Sequence, residues 1–148
     1  MGILKLLSAA AIGLFAGAML TEGGVLVPYW RALAPGDFLA WYAANDRRLL
    51  GVFGPLTAAA ALLALAAAAA AVWARDPGRW PALVAAGIMV AAVLMFPLYF
   101  QQANARFAAG IVPPAELPAE LARWAAWHWG RTALAAVAFV ASMLALRR

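Results

Sequence analysis

Four long apolar runs, at residues 4–28, 51–73, 81–100 and 124–146, fill most of this 148-residue chain. A helix crossing ~30 Å of hydrocarbon needs roughly 20 mostly apolar residues, and each run meets that length. The second run carries no charge, and its stretch 58–71 is almost purely alanine and leucine. The period-two alternation of strands is absent, and inside lipid only helices or closed barrels satisfy the backbone. The pattern predicts an all-α single domain over residues 1–148, an up-and-down four-helix transmembrane bundle.

The surface arithmetic agrees. Only 11% of residues are charged and 68% are hydrophobic, against the ~25% charged of a soluble domain. Too few polar side chains remain to cover a soluble fold of this size, which excludes disorder and an ordinary soluble enzyme. The net charge of +5 is scattered in ones and twos between apolar runs. No basic stripe exists to follow a phosphate backbone, so no nucleic-acid partner is expected. With no cysteine and one histidine, thiolate chemistry and a multi-histidine metal or haem site are excluded within one chain.

The connections differ in length. Residues 75–79, Arg-Asp-Pro-Gly-Arg, form a tight turn between the second and third runs, whereas residues 29–50 and 101–123 are longer and share the opposite side. Residues 35–48 carry Asp37 near their start and end in arginines, an order that suits a helix dipole. They are expected to form a short interfacial helix anchored by Trp41 and Tyr42, and Pro113, Pro114 and Pro118 predict a loop before the last helix. Lys5 followed by an apolar run and Ala16-Gly17-Ala18 resembles a cleavable leader. The apolar stretch continues to Pro28, so a retained first helix is expected. Lys5, Arg75, Arg79, Arg147 and Arg148 face only Asp76 on their side. By the positive-inside rule both termini are expected in the cytoplasm, in the cytoplasmic membrane of a bacterium.

Ionisable groups at membrane depth are expensive and normally turn inward toward a partner. Glu22 lies about six residues inside the end of the first run, and Arg131 about seven residues into the last run from the same side. Opposite charge at matched depth predicts an ion pair; the alternative is that Gly23-Gly24 opens the helix early and Glu22 reaches the interface. Trp124, His128 and Arg131 follow at i, i+4 and i+7 and share a helix face, with Trp127 beside it. Gln101, Gln102 and Asn104, where the third helix ends after Pro97, and Thr57 on the second reach similar depth. These residues are expected to line one polar pocket near the outward face. His128 is alternatively a bonded core residue, the tryptophans an interfacial belt, and Arg47 and Arg48 solvated charges. No nucleophile–base pair or phosphate loop is present. A metal on His128, Glu22 and Asn104 is the remoter alternative, and no metal or cofactor is expected. Gly13 and Gly17 form a GxxxG pair that packs within the bundle or, in a homo-oligomer, between protomers; packing within the bundle is preferred.

The segment Arg123-Trp-Ala-Ala-Trp-His128-Trp-Gly-Arg131-Thr resembles the RW-x3-H-x2-R signature of the anthrone-oxygenase-like family of small four-helix membrane proteins. The likeness extends over Gly13-x3-Gly17, Val27-Pro28-Tyr29-Trp30, Phe53-Gly-Pro55 and the Asn104 segment in order; Gln102-Ala-Asn104 stands where the family has Pro-x-Asn. The resemblance implies oxidation of an anthrone-type, flat aromatic or quinol-like substrate by oxygen without metal or flavin. It assigns His128 as base and Arg131 as oxyanion stabiliser. Trp124 and Trp127 would stack on the substrate, with Glu22 orienting His128 or Arg131.

Two other classes compete. A non-catalytic membrane protein would hold a lipid, quinone or partner helix in the same pocket. A transporter needs a polar path to the other side, yet the second run offers none and no inverted repeat is visible.

Overall fold

The computed structural model describes residues 2–147; Arg148, counted above among the basic residues of one side, lies outside them. The described chain is all-helical, with four helices. Helix α1 spans Gly2–Ala32, α2 Pro35–Trp73 and α3 Arg79–Ala108, and α4 spans Leu117–Ala145. Sequential helices pack as neighbours and α4 returns against α1, which gives the expected up-and-down bundle. We call the end holding the 74–78 turn the turn end and the opposite one the loop end.

Helices α1, α2 and α3 are long and apolar enough to cross a membrane. The fourth expected run, but for Leu146, falls within α4, which is 29 residues long but diluted by Arg123, His128 and Arg131. All four helices start before their expected bounds, and α1 and α3 also run on past their expected ends. The largest difference is in α2, where residues 35–48 do not form a separate interfacial helix but continue into the apolar run as one helix of 39 residues. Nothing between Arg48 and Gly51 obliges the chain to stop, since a glycine inside a helix costs only about 1 kcal/mol relative to alanine. Helix α3 likewise runs on through Gln101 and Asn104, and α4 begins seven residues before Trp124.

Prolines leave their mark inside the helices. Pro28 and Pro97 lack an N–H, and their rings press on the carbonyl four residues back. Each lies in or beside a π turn, Glu22–Leu26 in α1 and Phe96–Phe100 in α3. There the Val27 and Gln101 N–H groups reach back to the Glu22 and Phe96 carbonyls. Pro55 sits inside α2, where Thr57 Oγ1 donates to the Phe53 carbonyl at 2.6 Å.

The interior has two unlike halves. Toward the turn end Ala60, Ala64, Ala68, Ala85 and Ala138 surround Ile12, Phe15 and Met89, and such small side chains let helix backbones approach closely. Toward the loop end the core is aromatic, built on Trp30, Phe38, Phe100, Phe107 and Trp124. Gly13 faces α4, where an added Cβ would strike the Phe139 ring, while Gly17 has open space around it. The first glycine of the GxxxG pair therefore packs within the bundle, as preferred, and the second does not.

At the turn end Lys5 Nζ donates to Asp76 Oδ1, and the Gly78 N–H donates to the same oxygen at 2.7 Å. This joins α1 to the α2–α3 turn. A side chain at Gly78 would collide with the Ala145 carbonyl of α4, so the smallest residue lets three helices meet. The Lys5 hydrogen bond, and then that of Gly78, hold the Asp76 carboxyl below its usual range. A carboxyl depressed in the folded state stabilises above its unfolded pKa, about 3.9, and loses that contribution as pH falls through the lower folded value. The melting temperature in detergent should therefore fall as pH drops below about 4. Asp76→Asn should remove that component of the pH dependence; an unchanged acid limb in the variant would refute the latch.

Candidate functional site

Between the alanine and aromatic halves lies a polar layer. Glu22 stands in the first turn of the α1 π turn, His128 and Arg131 one turn apart on α4, and all three are buried, at 4%, 0% and 8% exposure. Arg131 Nη2 forks between Glu22 Oε2 at 3.4 Å and His128 Nδ1 at 3.1 Å. The expected ion pair therefore forms. Arginine can only donate, so Nδ1 accepts and the ring proton sits on Nε2. Nε2–H donates to the Met19 carbonyl at 2.9 Å, and the Arg131 guanidinium lies 4.2 Å above the Phe100 ring. The buried Arg131 Nε has no hydrogen-bond partner within the described fold.

His128 is closed in on every side. Its ring stacks on Trp124 with centroids 5.1 Å apart and planes 7° from parallel. Across the helix pair, a Cβ at Gly23 would lie 3.1 Å from His128 Cδ2 and 3.2 Å from Nε2. Glycine at this position lets the imidazole reach the α1 backbone.

A cavity of about 560 Å³ opens beside this layer, mostly between α2 and α3. Glu22, Asn104, Trp124 and Arg131 line it, as expected of four of the site residues. His128 has no surface on it, and neither does Trp127. Adjacent helix residues point about 100° apart, which turns Trp127 to another face. There it stacks on Tyr99 at 4.9 Å with planes 5° apart and stays 38% exposed. Trp124 is held by more than stacking, since its Nε1 donates to Asn104 Oδ1 at 2.8 Å. Thr57 and Gln101 line the cavity and Gln102 does not. Among the described residues no cluster of three His, Cys, Asp or Glu side chains could hold a metal.

Two polar lining residues stand outside the expected site. Tyr42, assigned to an interfacial anchor, is buried and faces the cavity, and Asp46 lies one turn further along. With α2 continuous, Phe38, Tyr42, Asp46, Leu49, Phe53 and Thr57 recur at spacings of three and four and form one stripe. That signal was present but was cut by the expected break near Arg48.

A carboxylate and a guanidinium at the wall of a mostly apolar cavity can bind a polar atom on an otherwise greasy molecule. No family model, curated protein or solved structure matches the chain.

His128→Ala should remove two buried hydrogen bonds and a stacked ring. Each bond is worth about 1 kcal/mol net, and an orphaned polar partner costs more, so a loss of about 3 kcal/mol is expected. Gly23→Ala should cost about 1 kcal/mol by pushing the imidazole off Met19. Reversible unfolding in mixed micelles checks both; a His128→Ala loss below about 0.5 kcal/mol would show that the imidazole holds nothing in place.

Proposed function

We propose that the protein is an integral membrane oxygenase of the anthrone-oxidising type, which binds a flat hydroxylated aromatic molecule in the α2–α3 cavity. Three long apolar helices, and exposed Leu14, Leu62, Leu98 and Val140 on outward faces, support a lipid-facing bundle. In this reading the first fourteen residues of α2 project beyond the hydrocarbon. The protein lies in the cytoplasmic membrane of a bacterium with both termini inside, the side of the arginines flanking the turn end.

The observation that carries the functional reading is the buried Glu22–Arg131 pair on the wall of a cavity large enough for a three-ring aromatic molecule. Ligand sites of this kind are mainly apolar, with a few placed polar groups. Oxidation of an anthrone turns a ring CH2 into C=O, consumes one O2 and releases one water. The protein's task is to take up a proton and stabilise the resulting anion, which then gives up electrons to oxygen. Arg131 meets the oxyanion, and Glu22, the carboxylate beside it, takes the proton. His128 is a positioning residue in this scheme and not the base, because it lacks a surface on the cavity and Arg131 occupies its Nδ1. Trp124 and Asn104 form the wall against which the rings lie, and Trp127 has no part.

A second reading, binding without turnover, is favoured by one observation: Glu22 and Arg131 already engage each other. Oxygen uptake by purified protein in detergent, with 1,8-dihydroxyanthrone, separates the two. The oxygenase reading expects uptake above the protein-free rate, falling at least 100-fold in Arg131→Gln and in Glu22→Gln. Background uptake from folded protein that still binds 1,8-dihydroxyanthraquinone would support binding alone. Absence of both would overturn the cavity as a ligand site.

A further inference from the structure

We infer that the ligand enters sideways from the bilayer, through a slot between α2 and α3 in the leaflet nearer the loop end. The inference rests on the cavity being a ligand site, as proposed above, and adds the route of entry and hence the class of molecule: one dissolved in lipid.

The direction of the opening comes from which lining residues are exposed. Leu50 and Ala58 of α2 and Pro97, Gln101 and Ala105 of α3 are exposed, whereas Glu22, Trp124 and Arg131 at the back are buried. The mouth thus faces away from α1 and α4, out of the side of the bundle. The route from the loop end is plugged. Trp30, Phe38, Phe107, Val112, Leu117 and Leu121 form one buried cluster there, and no residue of 109–116 lines the cavity.

The helices themselves explain why a slot lies here. Pro55 in α2 and the Pro97-bearing π turn in α3 interrupt the regular hydrogen-bond ladder of both walls, and π turns inside helices often accompany functional sites. Among the larger Leu50, Pro97 and Gln101, four of the side chains near the mouth are small: Gly54, Ala58, Ala105 and Ala108. At 1.5 Å per residue, Ala58 lies roughly 22 Å and Leu50 roughly 35 Å along α2 from Trp73. The slot therefore opens in the outer part of a ~30 Å core and continues past Leu50 into the headgroup region, where Asp46 of α2 and Ala105 and Ala108 of α3 line it. A molecule passing it keeps its rings in the acyl region and brings a single polar oxygen inward to Arg131.

Because the chain has no cysteine, two introduced thiols can be bridged without side reactions. In nanodiscs, Leu50→Cys/Gln101→Cys is bridged by a bis-methanethiosulfonate, and 1,8-dihydroxyanthraquinone association is followed by stopped-flow tryptophan quenching. Bridging should slow association at least tenfold, and dithiothreitol should restore it. Ala58→Trp, which needs no bridge, should slow association similarly, whereas Ile111→Trp at the loop end should leave it unchanged. Bridged protein and Ala58→Trp associating at the unmodified rate, or slowing by Ile111→Trp instead, would overturn the lateral route while leaving the cavity reading intact. No quenching by unmodified protein at any concentration would overturn the cavity reading, and this inference with it.

Discussion

Arg131 is the group on which the site depends. A guanidinium buried among apolar helices costs several kcal/mol unless charge and hydrogen bonds compensate it. Here the compensation comes from two helices, the Glu22 carboxylate of α1 and the His128 ring of α4, with the Phe100 face beneath. Removing Arg131 strands the Glu22 carboxylate and leaves His128 only its bond to Met19, and removing Glu22 leaves the guanidinium buried with no counter-charge beside it. The three residues therefore act as a unit that ties α1 to α4 and fixes a positive group at the cavity wall.

The layer also marks where the bundle changes character. On one side the core is built of small alanine side chains; on the other it is built of bulky aromatic rings. The cavity lies beside this layer, along the proline-bearing stretches of α2 and α3. The ligand's apolar body then replaces lipid contacts and its oxygen finds Arg131, the one buried cation among the described lining residues.

The helical class, the four-helix order and the pairing of Glu22 with Arg131 were legible from hydropathy and depth. An ionisable group among twenty apolar residues has few places to go, so matched depth was a sufficient signal. The bounds of the helices were less legible. Charged stretches such as 45–48 read as interface, but a helix extends past the apolar region whenever its inward stripe keeps packing, as Phe38 and Tyr42 do. The orientation of individual α4 residues also needed three dimensions. Trp127 and His128 are adjacent, yet one faces outward against Tyr99 and the other is sealed against α1. The π turn and Gly23, which permit that sealing, leave no periodic trace in the sequence. What the resemblance implies for His128 as a base meets a ring whose two nitrogens are both engaged, and the proton-accepting role passes in our proposal to Glu22.

The central claim is that the Glu22–Arg131 pair faces a ligand in the α2–α3 cavity. An experimental structure of the protein in nanodiscs with 1,8-dihydroxyanthraquinone tests it most directly. The account predicts flat density between α2 and α3 against Trp124, with one oxygen within ~3 Å of the Arg131 guanidinium. Density elsewhere on the bundle, or an empty cavity under saturating ligand, would contradict it.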